Sequence, residues 1–157
     1  MRTIGEGGFG KVLEVRNRTT NELRAAKFIK IKRVSDLEAV ENEIAILKGL
    51  DHPGILQIYE YYRQGTTLIL ITDYIKGGSL CDAIIEQEER KASSFTESNI
   101  SEIIRQLISA LLYLHRRQIL HSDIKPENVM LEQADSGKYF IKLIDFGISR
   151  IMRPAEA

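Results

Sequence analysis

Near its start the chain reads Gly5-Glu6-Gly7-Gly8-Phe9-Gly10-Lys11-Val12, which contains G-x-G-x-x-G. Glycines at that spacing let backbone N–H groups approach a phosphate with no Cβ in the way. Alone the signal is weak, and three nucleotide-binding readings compete with a plain turn. A dinucleotide fingerprint needs a helix directly after the glycines, whereas alternating, strand-like sequence follows. A P-loop needs a hydroxyl residue after the lysine to reach magnesium, and Val12 has none. A glycine-rich hairpin laid over a nucleotide needs strand, loop, strand, which the flanking pattern offers. Further residues able to do chemistry are Lys27, Glu41, Glu43, His121, Asp123, Lys125, Asn128 and Asp145. Taken singly, each has a plainer reading. A lone strand lysine snorkels to solvent, a helix glutamate is a solvated charge, and a lone histidine is a satisfied core residue.

The elements that must position these residues divide by period. From Thr3 to about Ile31 the pattern is strand-like, with Leu23, Ala25, Lys27, Ile29 and Ile31 on one face and a turn at Thr19-Thr20-Asn21. Ser35 or Asp36 suits a helix N-cap, and Leu37, Val40, Ile44 and Leu47 follow at helical spacing toward Gly49. Strands fit Leu56–Tyr62 and Thr67–Asp73 around a turn at Gly65, and Gly77-Gly78 reads as a linker. The polar segment Gln87–Ser94 reads as an exposed loop. Thr96 caps a long helix with Glu97 in its first turn. Its apolar stripe is Ile100, Ile103, Ile104, Leu107, Ile108, Leu111 and Leu114. Short strands at Val129–Leu131 and Tyr139–Ile144 flank a turn at Asp135-Ser136-Gly137.

Along essentially its whole length the chain resembles the protein kinase family, in its serine/threonine form. Gly5, Gly7, Gly10 and Val12 match the glycine-rich loop, and Ala25-Ala26-Lys27 stands where the family has its strand lysine. Glu43 in Glu41-Asn42-Glu43-Ile44 matches the helix glutamate that pairs with it, with Glu41 the competing candidate. Leu70-Ile71-Thr72-Asp73-Tyr74-Ile75 resembles the passage from strand to hinge. His121-Ser122-Asp123-Ile124-Lys125-Pro126-Glu127-Asn128 matches H-R-D-x-x-x-x-N, and lysine two after the aspartate followed by Pro-Glu-Asn is the serine/threonine form. Asp145-Phe146-Gly147 matches the second metal motif. Five motifs in the right order and at compatible spacing are hard to obtain by chance. Ile119–Leu131 with Ile141–Arg150 looks most like the calcium/calmodulin-dependent group.

The resemblance implies an α+β, bilobal fold: a five-stranded antiparallel N-lobe with one helix over residues 1–75, and an incomplete helical C-lobe over 76–157. It implies transfer of the ATP γ-phosphate to a protein serine or threonine hydroxyl, with ATP and Mg2+ as cofactors. By that resemblance Lys27, held by Glu43, grips the α- and β-phosphates, Asp123 orients the hydroxyl, and Lys125 neutralises the transferring phosphoryl. Asn128 and Asp145 ligate magnesium, and Phe146 packs in the core. Gly5, Gly7, Phe9, Gly10, Val12, Ala25 and Met130 line the nucleotide site, Thr72 guards its back, and the backbones of Asp73 and Ile75 bond adenine. Two departures stand out. Ser122 replaces the arginine that in the family receives an activation-loop phosphate. Serine cannot make that charge-assisted pair, so activity independent of such a phosphate is expected. The sequence also ends ten residues after Gly147, before any A-P-E element. The expectation is therefore a fragment that lacks peptide kinase activity by itself. A non-catalytic, pseudokinase-like binding module and an inactive fragment are the alternatives to an active kinase. Intact Lys27, Glu43, Asp123, Asn128 and Asp145 favour the active one.

Composition is compatible and excludes other classes. Of 157 residues, 22 are Lys or Arg and 22 are Asp or Glu, so the net charge is zero and no basic excess suits a nucleic-acid partner. No apolar run reaches membrane-spanning length, and no signal-peptide pattern opens the sequence. The single cysteine, Cys81, excludes an internal disulfide. An intracellular, cytoplasmic protein is the expectation. No D-x-[DN]-x-[DN]-G loop occurs, so no calcium site is expected in this chain.

Overall fold

A computed structural model describes residues 2–7, 10–90 and 95–152. The chain divides into two units, one of residues 1–49 and 56–74, the other of residues 50–55 and 75–157.

The first unit is built on a five-stranded antiparallel sheet. Its strands are β1 (Arg2–Gly7), β2 (Gly10–Arg16), β3 (Leu23–Lys30), β4 (Ile58–Gln64) and β5 (Thr67–Asp73), in the order β1-β2-β3-β5-β4. The central pair β3 and β5 is where apolar residues concentrate: Ala25, Ala26, Ile29, Leu68 and Leu70 are all buried. Gly7 pairs with Gly10, so β1 and β2 form a hairpin at the glycine motif with no helix after it. This is the strand–loop–strand arrangement, and it excludes the dinucleotide-fingerprint and P-loop readings. Gly10 has φ of 132°, and a Cβ there would collide with the Phe28 carbonyl, so only glycine fits.

Helix α1 (Val34–Lys48) buries Val40, Glu43, Ile44, Ile46 and Leu47. Its N-cap is Arg33, not Ser35 or Asp36 as the sequence suggests. Asp36 acts from one turn inside the helix: its Oδ2 accepts the backbone N–H groups of Lys32 at 3.1 Å and Arg33 at 2.9 Å. Arg33 holds the other oxygen, and this pairing keeps the Asp36 carboxyl below its ordinary range. Strand β4 also begins two residues later than the expected Leu56, because Gln57 bonds β5 from outside the ladder register.

The second unit holds helices α2 (Leu80–Arg90) and α3 (Glu97–Arg116), a hairpin of β7 (Val129–Gln133) and β8 (Tyr139–Leu143), and the short pair β6 (Ile119–Leu120) with β9 (Arg150–Ile151). Thr96 is the N-cap of α3, accepting the Asn99 N–H at 3.2 Å, as its sequence predicts. The expected loop Gln87–Ser94 is corrected over Gln87–Arg90, which belong to α2, while residues 91–94 lie outside the described residues. The start of α2 is fixed by reciprocal capping. Ser79 donates its backbone N–H (2.9 Å) and its hydroxyl (2.6 Å) to Asp82 Oδ2, and accepts the Asp82 N–H at 3.0 Å. Gln106 ties α3 to β8 by both ends of its amide, donating to the Tyr139 carbonyl at 2.8 Å and accepting the Ile141 N–H at 3.2 Å. Ile103, Ala110, Leu114, Val129, Leu131, Ile141, Leu143 and Phe146 form the buried core of this unit.

Candidate active site

The candidate polar residues fall into two sets, one in each unit. In the first unit the register of the sheet lays them out. Lys27 on β3 lies directly across from Val12 on β2 and Leu70 on β5, and Ala25 lies across from Glu14 and Thr72. Directly opposed residues share a face, so Val12, Glu14, Ala25, Lys27, Leu70 and Thr72 line one side of the sheet. Glu43 is the only carboxylate among the buried polar residues of the described chain, and its side chain is 6% exposed. A buried carboxylate needs a partner. Lys27 supplies it, with Nζ 3.3 Å from Glu43 Oε1 and the lysine still 29% exposed. Glu41, the rival in sequence, is exposed. The pair therefore holds a partly open ammonium in a fixed place, from a helix whose buried face Val40 and Ile44 anchor.

At the end of β5, Thr72 is buried and its hydroxyl donates to the Asp73 carbonyl at 3.2 Å. The Asp73 N–H is taken by the Gln57 carbonyl at 3.1 Å. Gly5 is half-buried against Val12. Phe9 lies outside the described residues, as does Gly8.

In the second unit the loop between β6 and β7 brings Asp123, Lys125 and Asn128 together. Asn128 is buried and donates its amide to both the backbone carbonyl (2.9 Å) and Oδ2 (2.8 Å) of Asp123. Lys125 Nζ is 2.8 Å from the same Oδ2. The lysine bond first, and the Asn128 bond after it, hold the Asp123 carboxyl below its ordinary range. Its carboxylate form is thus the one present at neutral pH. The bond to Asp123 correspondingly raises the Lys125 ammonium.

The loop is anchored from below by His121, which is buried. Its Nδ1 accepts the Asp123 N–H at 3.3 Å, which leaves the proton on Nε2 to donate to the Ile144 carbonyl at 2.9 Å. The imidazole packs edge-on against Phe146, with centroids 4.7 Å apart. Burial lowers the His121 pKa more than the bond to the Ile144 carbonyl and then the nearby carboxylates raise it, so the ring is neutral at neutral pH. Asp145 follows Ile144 in the left-handed region, with φ of 63° and Oδ1 accepting the Gly147 N–H at 3.3 Å. Short polar side chains tolerate that conformation. Met130 on β7 is half-buried and pairs with Lys142.

One contributor carries no sequence motif. Ser149 is buried and donates its hydroxyl to the His121 carbonyl at 3.0 Å, so the segment after Gly147 is tied to the catalytic-type loop. The only signal in sequence is its position two residues beyond that glycine.

The protein kinase domain profile matches residues 1–157. The chain belongs to the protein kinase domain family. Calcium-dependent protein kinase 4 of Plasmodium falciparum is 36% identical over 152 residues, 95% of this chain and 28% of that protein. Serine/threonine-protein kinase DCLK3 of Homo sapiens is 37% identical over 155 residues, 98% of this chain and 23% of the relative. Myosin light chain kinase 3 of Rattus norvegicus is 37% identical over 153 residues, 98% of this chain and 19% of the relative. The chain thus spans about a quarter of the length of the curated relatives it matches. The α+β kinase fold expected from the sequence is present, with the five-stranded antiparallel sheet and its one helix. The family's chemistry runs on ATP and magnesium and acts on proteins. Among the described residues no helix is long and apolar enough to cross a membrane.

Proposed function

We propose that this chain is the nucleotide-binding and phosphoryl-transferring part of a serine/threonine protein kinase, moving the γ-phosphate of ATP to a protein hydroxyl. Residues 1–75 serve as its N-lobe and 76–157 as the part of its C-lobe that holds the catalytic loop. The observation that carries the reading is the clamped Asp123 carboxylate, ionised and held by Lys125 and Asn128 within 2.8 Å. A neutral hydroxyl nucleophile needs orientation and a proton acceptor, and a fixed carboxylate supplies both. Lys27, steadied by Glu43, opposes the charge of the α- and β-phosphates, and Lys125 opposes that of the transferring group. The glycine hairpin of Gly5, Gly7, Gly10 and Val12 covers the phosphates. In the first unit Ala25, Thr72 and the Asp73 backbone serve the base, and in the second unit Met130 and the Ile75 backbone do so.

The donor set fits magnesium. Asn128 commits its amide nitrogen to Asp123, so its oxygen is the end a cation would meet, and Asp145 adds a carboxylate. No cluster of three or more His, Cys, Asp or Glu side chains occurs among the described residues. That suits an ion which takes one or two protein oxygens and completes its octahedron from phosphates and water. When bound, magnesium neutralises charge on the phosphates. Lys125 two residues after Asp123, followed by Pro126-Glu127-Asn128, supports the serine/threonine form, and the intact set of Lys27, Glu43, Asp123, Asn128 and Asp145 supports an active kinase over a pseudokinase-like module.

The test is Asp123→Asn in the full-length protein. Binding of Mg-ATP should stay within about two-fold, while phosphorylation of a serine- or threonine-containing peptide falls by roughly 10²–10⁴. Near-wild-type turnover by the variant overturns the assignment.

A further inference from the structure

The β4 strand carries a bulge between Ile58 and Glu60, and the extra residue is Tyr59. Bulges re-aim a side chain. Here the Tyr59 hydroxyl donates to Asp73 Oδ1 at 2.8 Å. The other carboxylate oxygen of Asp73 accepts the Gln57 N–H at 2.9 Å, and the Asp73 N–H returns a bond to the Gln57 carbonyl at 3.1 Å. Arg24, which lies across from Asp73 in the β3–β5 register, sets its guanidinium 3.9 Å from the centre of the Tyr59 ring. Arg24 is itself held by Glu22 at 2.9 Å. Burial first, and the bond to Asp73 after it, keep the Tyr59 hydroxyl protonated and able to donate. Every polar group of Asp73 except its carbonyl is thereby tied to the start of β4, and that carbonyl takes the Thr72 hydroxyl.

This is more bonding than a strand end needs for stability alone, since a residue at the end of β5 could leave its carboxylate in water. We infer that Tyr59 is a positioning residue for base recognition: through the Asp73 carboxylate it fixes the Asp73 carbonyl that accepts the adenine amino group. The inference rests on the ATP-binding reading above. In the free chain a carbonyl at the strand end would sample several directions. Anchoring its own side chain on both oxygens leaves it one, so the bond to adenine forms without further ordering.

The experiment uses the full-length protein, with Mg-ATP and the Mg complex of purine riboside triphosphate, which lacks the 6-amino group. Tyr59→Phe removes only the hydroxyl and leaves the ring under Arg24. Calorimetry should show ATP affinity falling about 3- to 10-fold, the size of one lost hydrogen bond, and affinity for the analogue falling less than about two-fold. Asp73→Asn keeps an oxygen for the Gln57 N–H or the Tyr59 hydroxyl and should fall between wild type and Tyr59→Phe for ATP. Equal losses for the two nucleotides would reduce Tyr59 to a structural residue and overturn the inference, as would no loss for either. A wild-type protein that binds neither nucleotide overturns the ATP-binding reading first, and the inference with it.

Discussion

A buried histidine with both ring nitrogens engaged has no place for a second proton. In His121, Nδ1 faces the Asp123 N–H, a donor, so protonation there sets two donors against each other. Burial adds to this and pushes the His121 pKa down from 6.5. The unfolded chain takes up a proton near 6.5, whereas the folded unit does so only at lower pH. Between those values the unfolded state binds more protons, so stability falls as pH falls. His52 acts in the same direction, its pKa lowered by burial and then by Lys142. Urea unfolding should therefore show stability declining from about pH 7 to about 5.5, with each histidine able to contribute a slope of up to about 1.4 kcal/mol per pH unit. His121→Gln should be less stable at neutral pH but decline less steeply. An unchanged slope would show that His121 is not neutral in the fold. At this scale much of the chemistry was legible: Lys27 meets Glu43, and Asp123 meets Lys125 and Asn128, at the spacing the motifs imply. Tyr59 and Ser149 were not legible, because neither lies in a motif that would name its partner. A β-bulge leaves no trace in an alternating pattern except one residue out of phase, and Tyr59 has tyrosine neighbours that hide it.

Among the elements, α3 and the β7–β8 hairpin could be read closely because strong local signals bound them. Thr96 caps the first, and the turn at Gly137, with φ of 78°, closes the second. Helix α2 was missed in part because its C-terminal half, Glu86-Gln87-Glu88-Glu89-Arg90, is polar all round and looks like a loop. Glutamate, glutamine and arginine are nevertheless good helix formers, and the deciding signal was Ser79-Leu80-Cys81-Asp82, a capping box. The strands β6 and β9 are two residues each, too short for any periodicity. The weight of the α2 cap can be measured. Asp82 carries both bonds from Ser79, and these hold its carboxyl below its ordinary range. Asp82→Ala should destabilise the second unit by about 1 kcal/mol, within a range of roughly 0.5–2. Hydrogen exchange should quicken in Leu80–Arg90 well before Glu97–Arg116. Equal protection of α2 in wild type and variant would show that the helix is held by packing alone.

For the whole molecule the feature with consequences is a row of apolar side chains on α3. Ile103, Ala110 and Leu114 are buried, but Ile100, Ile104, Ile108 and Leu112, each four residues from the last, are about half exposed. At a rise of 1.5 Å per residue the row runs about 18 Å along the helix. Of the stripe expected from sequence, Ile103 and Leu114 are buried, Leu107 and Leu111 are half-buried and Ile100, Ile104 and Ile108 are open, while Leu112, outside that stripe, extends the open row. Nothing among the described residues covers the open edge, which is why its exposure could not be read from periodicity alone: the pattern shows which residues are apolar, not whether a partner is present. Fully burying an isoleucine or leucine is worth about 1.5–3 kcal/mol, so four half-exposed ones forgo roughly 3–6 kcal/mol in all. That is a large share of the total stability of a domain, about 5–15 kcal/mol. A contiguous row of this kind drives association when nothing else covers it. The 157-residue polypeptide should therefore sediment as oligomers at tens of micromolar, an order-of-magnitude expectation, and bind a hydrophobic dye. The paired substitution Ile104→Lys and Ile108→Lys should shift it toward monomer and cost less than about 1 kcal/mol, since both side chains are already half in water. Ile103→Ala, on the covered edge, should instead cost about 2–5 kcal/mol through the cavity it leaves. A wild-type polypeptide that is monomeric and dye-silent, or a lysine pair as damaging as Ile103→Ala, would mean that the open edge is covered in solution.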